Sequence, residues 1–478
     1  KENISFIIFG PNLIIFIYYI LRYLQTVMRN NKPTIPKGMR DFTPDVMFRR
    51  NYIFETVKSS FERYGYAPIE TPAMENITTL SGKYGDEGDR LIFKILNSGD
   101  YLSKSNYSES IDYKSLSKQI SEKALRYDLT VPFARFVVQN RNNITFPFRR
   151  YQMQNVWRAD KPQKGRFREF FQCDADVIGS DSLFCEVELI QIYDEVFTYL
   201  NLPNIDICLN NRKILIGLVE LMGASDKFND IVIILDKLSA IGIEKLVIEM
   251  KEKGITDESI LILKDFLNVK NIQELPDLLK ESIVGSKGVE ELLFIINSVN
   301  DIGLRSANLK FDITLARGLD YYTGCIFEVK SKDFNFGSVG GGGRYDDLTA
   351  IFGMPDISGV GISFGIDRIF LVMEELNLFP KDIEIATKVM FVNFGEKEAQ
   401  FCLSILKKLR DNGINSELYP KADKMKKQMN YANNKGVELV VLIGENEMDS
   451  GLLSVKNMKT GDQYSITIDK FINEQCNV

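Results

Sequence analysis

The stretch FPFRRYQMQNVWRADKPQKGRFREFFQCDADVI, residues 146–178, decides the fold. Short apolar pieces alternate with polar and basic residues on either side of Ala159-Asp160-Lys161-Pro162-Gln163-Lys164-Gly165. That pattern predicts two antiparallel strands joined by a charged loop. Arg149, Arg150, Arg158, Lys161, Lys164, Arg166 and Arg168 crowd into this hairpin. Side chains alternate across a strand, so Arg158 falls on one face of the sheet with a cationic loop beyond it. An arginine fork on a rigid strand suits bidentate phosphate recognition, whereas lysine acts as a point charge. The same density also describes a solvated basic hairpin.

Upstream, Val46, Ile53, Val57 and Phe61 recur at helical spacing over 46–64, and the proline-bearing segment 65–72 reads as extended chain confined to a sheet edge. Residues 97–122 are rich in Ser, Lys and Tyr and read as a mobile surface loop. Downstream, periodicity predicts a helix over 182–200 and a strand over 205–209. From 211 to 308 the pattern becomes successive amphipathic segments (214–222, 231–238, 243–250, 260–267, 289–299), which predicts an inserted helical domain. Strands return over 309–330, and 359–365 leads into a helix near Asp367. Past a linker at 380–387, segments 389–394, 397–411, 414–419, 424–435 and 439–443 predict a βαβαβ domain with a mainly parallel sheet. The expected class is α+β. An antiparallel-sheet core in two parts (28–210 and 309–380) is interrupted by helices (211–308) and followed by a small α/β domain (388–478).

The chain has 478 residues, 45% hydrophobic and 26% charged, which excludes a disordered chain, a fibrous repeat and a multi-span membrane protein. It contains no histidine, which removes imidazole general bases, Ser-His and Cys-His nucleophile pairs and most zinc sites. Its 6 cysteines show no CxxC spacing, so neither a metal cluster nor a disulfide framework is indicated, and a reducing cytosol is expected. The net charge of −6 means that any polyanion must be held by local basic patches. An uncharged run over 4–21 is cut by Gly10-Pro11-Asn12. Residues 1–27 are therefore expected to be an extension upstream of a natural start at Met28 rather than a membrane anchor, and no membrane partner is expected.

Three further clusters stand out. Arg317-Gly318-Leu319-Asp320-Tyr321-Tyr322-Thr323-Gly324 places an arginine at a turn before two tyrosines, which read equally as site residues or as core and rim. Gly340 to Gly343, before Arg344-Tyr345-Asp346, marks a close backbone approach to a ligand or to a neighbouring strand. Gly361-Ile362-Ser363-Phe364-Gly365-Ile366-Asp367-Arg368 is spaced GxxxG outside any βαβ unit, so it is no dinucleotide fingerprint, and no Walker loop occurs.

Together these strings resemble the class II aminoacyl-tRNA synthetases and, within them, the histidyl-tRNA synthetase family, from about Lys37 to the end. Lys37-Gly38-Met39-Arg40-Asp41-Phe42 is similar to the family's opening signature, and 66–72 to the first class II motif, which forms the family's dimer interface. Residues 150–179 resemble the second motif and 361–368 the third. The Leu315–Tyr322 and Gly341–Asp346 strings resemble those specific to the histidine enzymes.

The resemblance implies a ligase that activates L-histidine with ATP to histidyl-adenylate and transfers it to the 3′ end of tRNA(His), with Mg²⁺ bridging phosphate oxygens, in a cytoplasmic homodimer. It implies that Asp128 and Thr130, flanking Leu129, hold the substrate ammonium, with Gln172 assisting. Asp176 and Tyr322 would read the imidazole, with Tyr321 and Tyr345 in the same pocket. Arg158 would sit on the α-phosphate, with Arg317 opposite it as an electrostatic catalyst, and both would also contact the histidine substrate. Arg166 and Arg368 would bind ATP. The resemblance assigns no metal ligands. The last domain resembles an anticodon-binding domain, with Lys421, Lys424, Lys426 and Lys427 as its basic group. Asp367 stands where many class II enzymes carry glutamate, and Asp128-Leu129-Thr130 where many bacterial members carry Glu-Gly-Thr. A non-catalytic histidine- or tRNA-sensing paralogue and a synthetase for another amino acid are the alternatives. The presence of the Arg317 string and the last domain opposes the first, and the Tyr-Tyr string and Asp176 oppose the second.

Overall fold

The computed structural model describes residues 33–103, 105–106, 111–316, 321–334, 337–380, 383 and 387–476. The expectations for residues 1–27 and for Arg317 lie outside the described residues. Strands β1 (Ala67–Pro68), β2 (Met74–Asn76), β3 (Lys94–Ile95) and β4 (Lys123–Leu125) precede the hairpin of β5 (Phe148–Trp157) and β6 (Glu169–Ile178). There follow β7 (Ile205–Asn211), β8 (Asn308–Phe311), β9 (Cys325–Ser331), β10 (Gly340–Tyr345) and β11 (Gly359–Gly365). An eight-stranded sheet runs β1-β5-β6-β11-β10-β9-β7-β8, and β2, β4 and β3 form a small second sheet. In the large sheet β1 pairs parallel with β5, and β7 with β8; the pairings between them are antiparallel. The proline strand β1 lies at the sheet's edge, where a missing N–H costs no ladder bond.

One face of this sheet is apolar. Phe61 packs on Tyr151 and Phe364 at ring separations of 5.6 and 5.8 Å, and Tyr193 of the helix Phe184–Tyr199 meets Phe364 at 4.8 Å. Alternation therefore turns Gln152 and Ser363, the strand neighbours of Tyr151 and Phe364, to the opposite face, together with their cross-strand partner Asp174. Gly342 belongs to a tight strand contact, because a Cβ there would lie 2.1 Å from the carbonyl oxygen of Gly361. At this position the glycine run serves a neighbouring strand.

At the rim of the sheet, Arg344 and Glu186 form a bidentate pair of 2.5 and 2.6 Å, with side-chain exposures of only 4% and 0%. The guanidinium also donates to the carbonyls of Ser180 and Ser182 and to Ser358 Oγ. Glu186→Ala should therefore destabilise the fold by roughly 3–5 kcal/mol, since it leaves a buried guanidinium without its counter-charge. Urea unfolding followed by tryptophan fluorescence measures this, and a loss below about 1 kcal/mol would mean that the carbonyls alone carry the charge.

Parallel neighbours need a crossover, and between β7 and β8 it is helical. The helices Arg212–Leu221, Phe228–Asp236, Leu238–Glu252, Asp257–Asn268 and Ile283–Ile302 occupy the interval in which amphipathic segments were predicted. The loop predicted over 97–122 contains a helix, Tyr113–Ile120. The Asp112 side chain caps it, accepting from the backbone N–H groups of Lys114 and Ser115 at 2.9 and 3.2 Å, a local signal that the polar composition hid.

By contacts the chain divides into two compact units, one built on Val57–Leu371 and the other on Phe42–Thr56 with the chain from Val372 onward. The second holds β12 (Val389–Phe391), β13 (Ser416–Leu418), β14 (Leu439–Leu442), β15 (Leu452–Asn457) and β16 (Gln463–Thr467), in the order β13-β12-β14-β15-β16. Its first three strands are parallel, as the βαβαβ pattern predicts. The reading missed the antiparallel pair β15–β16 and the helix Ile468–Cys476. Leu453, Val455 and Ile466 alternate with polar residues there, burying one face only, which is a weaker signal than the apolar run of β14. Among the described residues no helix is long and apolar enough to cross a membrane.

Candidate active site

The polar face of the large sheet floors a cavity of about 670 Å³. Register builds this floor in rows. Arg150, Asp176 and Gly361 are successive partners across β5, β6 and β11; Gln152, Asp174 and Ser363 form the next row; Gln154, Gln172 and Gly365 the third. Asp176, Asp174, Gln172 and Phe170 thus line the cavity at every second residue of β6. Gly361 makes room for the first of them: a Cβ there would lie 2.0 Å from Asp176 Oδ1.

Asp176 Oδ1 accepts a 2.6 Å hydrogen bond from the Tyr345 hydroxyl. Its Oδ2 lies 2.7 Å from Arg150 Nη2, yet the N–H does not point at it, so the contact is an ion pair rather than a hydrogen bond. The Arg150 side chain is fully buried, with its guanidinium 4.3 Å from the Phe133 ring centre. Burial pushes the Asp176 carboxyl upward against the pull of Arg150 and the Tyr345 hydrogen bond. Asp174 is pushed up to about 7, chiefly by burial.

Asp128 supplies the wall. Its Oδ1 accepts from the Tyr84 hydroxyl (2.8 Å) and the Val131 backbone N–H (3.2 Å), and its Oδ2 from the Tyr321 hydroxyl (3.0 Å). Burial again dominates and raises this carboxyl. Thr130 opens the helix Thr130–Gln139 and lines the cavity, as do Tyr321, Tyr322 and Tyr345. Leu129 is fully buried and is not among the lining residues.

At the Phe170 end the lining turns basic. Arg158 follows β5, its Nε donates to the Tyr127 carbonyl at 3.1 Å, and its guanidinium lies 4.2 and 5.2 Å from the Tyr127 and Phe170 rings. Arg368 donates to the carbonyls of Gly165 and Ser338 at 3.0 and 2.7 Å, tying the hairpin loop to the turn before β10. Arg166 lines the same space, half-exposed and 2.9 Å from Asp160. Asp367 joins the opening signature to the third motif: it pairs with Arg40 at 2.5 Å and accepts from the Phe171 N–H at 3.1 Å.

The structure thus brings Asp128, Thr130, Arg158, Arg166, Gln172, Asp176, Tyr321, Tyr322, Tyr345 and Arg368 around one cavity. The basic hairpin divides its tasks: Arg150 is buried, Arg158 lines the cavity and Arg149 pairs with Glu188. Sequence reasoning missed Tyr84, Asp174, Glu328 and Ser363, which also line it. The alternation Asp174-Ala-Asp176 was a usable signal for one of these; Tyr84 lies in no motif. Three carboxylates and clustered phenols make one end fit for a small cation with N–H groups to satisfy, and the arginines make the other fit for phosphate.

A family model described as histidyl-tRNA synthetase matches residues 114–369, and one described as an anticodon-binding domain matches 388–475. A curated histidine–tRNA ligase of Christiangramia forsetii is 55% identical over 91% of this chain and 97% of its own length. One of Phocaeicola vulgatus is 53% identical over 92% and 98%. The crystal structure of a histidyl-tRNA synthetase from Nostoc sp. superposes with a TM-score of 0.76 at 28% identity, covering 93% of this chain and 99% of that one.

Proposed function

The chain belongs to the histidyl-tRNA synthetase family, and from that premise we propose that the cavity floored by β6 is where L-histidine is activated by ATP before transfer to the 3′ end of tRNA(His). It is an aminoacyl-tRNA ligase; relatives matched over nearly their whole length leave the regulatory paralogue without support. The observation that carries the site is the juxtaposition of buried Asp128 and Asp176 with Arg158 and Arg368 around one cavity.

In this reading the substrate ammonium lies against Asp128, Thr130 and Gln172, and the ring N–H groups against Asp176 and Tyr322, flanked by Tyr321 and Tyr345. An apolar amino acid would leave those buried acceptors unpaired, a strong basis for rejection. The substrate carboxylate attacks the α-phosphorus, a P–O bond to pyrophosphate breaks, and histidyl-adenylate remains. A carboxylate needs no proton removed, so a chain without histidine loses nothing here. The work is positioning and charge neutralisation by Arg158, Arg317, Arg166 and Arg368.

Among the described residues no group of three or more Cys, Asp or Glu side chains is placed to hold a metal ion. Mg²⁺ would enter with ATP, held through substrate phosphates and one or two carboxylates. Glu328, a lining carboxylate, would complete its shell, and the ion would neutralise phosphate charge. We infer a homodimer through the segment of edge strand β1, a tRNA contact in the C-terminal unit, and a reducing cytoplasm that keeps the buried Cys173, Cys185, Cys208, Cys325 and Cys402 as free thiols.

ATP–pyrophosphate exchange measured with each amino acid in turn tests the reading. Exchange with histidine alone is expected. Exchange with another amino acid, or none, would overturn it.

A further inference from the structure

We propose that Asp174, together with Ser363, sets the polarity of the Gln172 side-chain amide, so that its oxygen and not its nitrogen meets the substrate ammonium. Asp174 is then a positioning residue for histidine. The inference rests on the reading of the cavity above and adds a residue to which neither the motifs nor the resemblance gives a task.

Asp174 and Ser363 are direct partners across β6 and β11, and Gln172 is the next residue along the same face of β6. The Ser363 hydroxyl lies close enough to the Asp174 carboxylate to pull its pKa down against the rise from burial. Gln172 Nε2 donates to Ser363 Oγ at 2.9 Å and makes a long 3.4 Å contact with Asp174 Oδ1. An ionised carboxylate only accepts, and a serine hydroxyl has one hydrogen. Asp174 beside it can receive only the N–H end of the amide, and Ser363 Oγ takes the same nitrogen as donor, so both neighbours hold Nε2 on their side.

Both amide hydrogens are thereby committed, and Oε1 is buried without a hydrogen-bond partner among the described residues. A buried acceptor left unpaired is costly and is relieved by a donor. The flipped amide would set N–H groups against an ammonium, a repulsive contact. Burial raises the Asp174 carboxyl to about 7, so it is largely ionised at pH 8, where the test is placed.

The test is the exchange reaction at pH 8 with Asp174→Asn, whose amide both donates and accepts and so no longer fixes the chain of hydrogens. The KM for histidine should rise roughly tenfold or more, the loss of about one charged hydrogen bond, while kcat and the KM for ATP move by less than about threefold. Ser363→Ala should show the same split. 3-(Imidazol-4-yl)propionate, which lacks the ammonium, should inhibit both forms with the same Ki. Adding Gln172→Glu to Asp174→Asn should restore the KM to within about threefold of the parent, because the asparagine amide can donate to one glutamate oxygen and leave the other for the ammonium. An unchanged KM, a Ki that rises in parallel with it, or a double variant without rescue would overturn the proposal. If the parent shows no exchange with histidine, the reading of the whole cavity fails, a result distinct from any of these.

Discussion

Replacing Arg158 by alanine should lower histidine-dependent ATP–pyrophosphate exchange by roughly 10²–10³-fold in kcat, the scale set by deleting one preorganised charge donor at a reacting centre. The guanidinium lies beside the rings of Tyr127 and Phe170 and is anchored at Nε by the Tyr127 carbonyl, so its orientation is set before substrate arrives. Preorganisation gives such a group its weight, because no solvent or side chain must rearrange as charge develops on the phosphoryl oxygens. Histidine binding, measured by calorimetry without ATP, should weaken far less than the rate falls. Arg158→Lys should recover only part of the loss, since a point charge replaces a fork. Exchange within about tenfold of the parent in the alanine variant would remove Arg158 from the phosphate end of the cavity.

Asp176→Asn should produce two separable losses. Histidine loses a charged acceptor for its ring, which should reduce kcat/KM by about 10²-fold or more, mostly through KM. The fold loses the counter-charge of Arg150, and because that guanidinium is wholly buried the penalty should reach roughly 3–5 kcal/mol. Pairing Asp176→Asn with Arg150→Leu separates the two, since an apolar residue in place of the arginine leaves nothing unpaired. Unfolding measurements should then show stability returning most of the way while exchange stays depressed. If stability and activity recover together, Asp176 serves the fold and not the ring.

The hairpin, the helices and the early part of the C-terminal unit were legible because each rests on local periodicity. Ile53, Val57 and Phe61, buried on one face of the helix Pro44–Arg63, repeat at intervals that a window of a dozen residues contains. Arg150 shows what such a window cannot hold. In the sequence it is one basic residue among several in a crowded hairpin, and only its partnership with Asp176 across β5 and β6 shows that it is buried under the pocket. Tyr84 reaches Asp128 across 44 positions from a segment with no motif, so no local signal announces it. The glycine run left a choice between ligand and strand, and at Gly342 the carbonyl of Gly361 decides for the strand. Arrangements that depend on register between distant segments were beyond reach, while those set within one strand or helix were not.

Strands β7 and β8 lie side by side and point the same way. A chain leaving one must travel back along the sheet before entering the other, a journey that roughly a dozen residues could make. Here Arg212–Leu221 through Ile283–Ile302 make it instead. Both attachment points are fixed by sheet register, so the excursion can change in length between its first and last helices without moving any row of the cavity floor, while Asp236 within it reaches the cavity wall. New recognition surfaces can be gained in evolution on the outer part of that excursion while the rows of the floor keep their register.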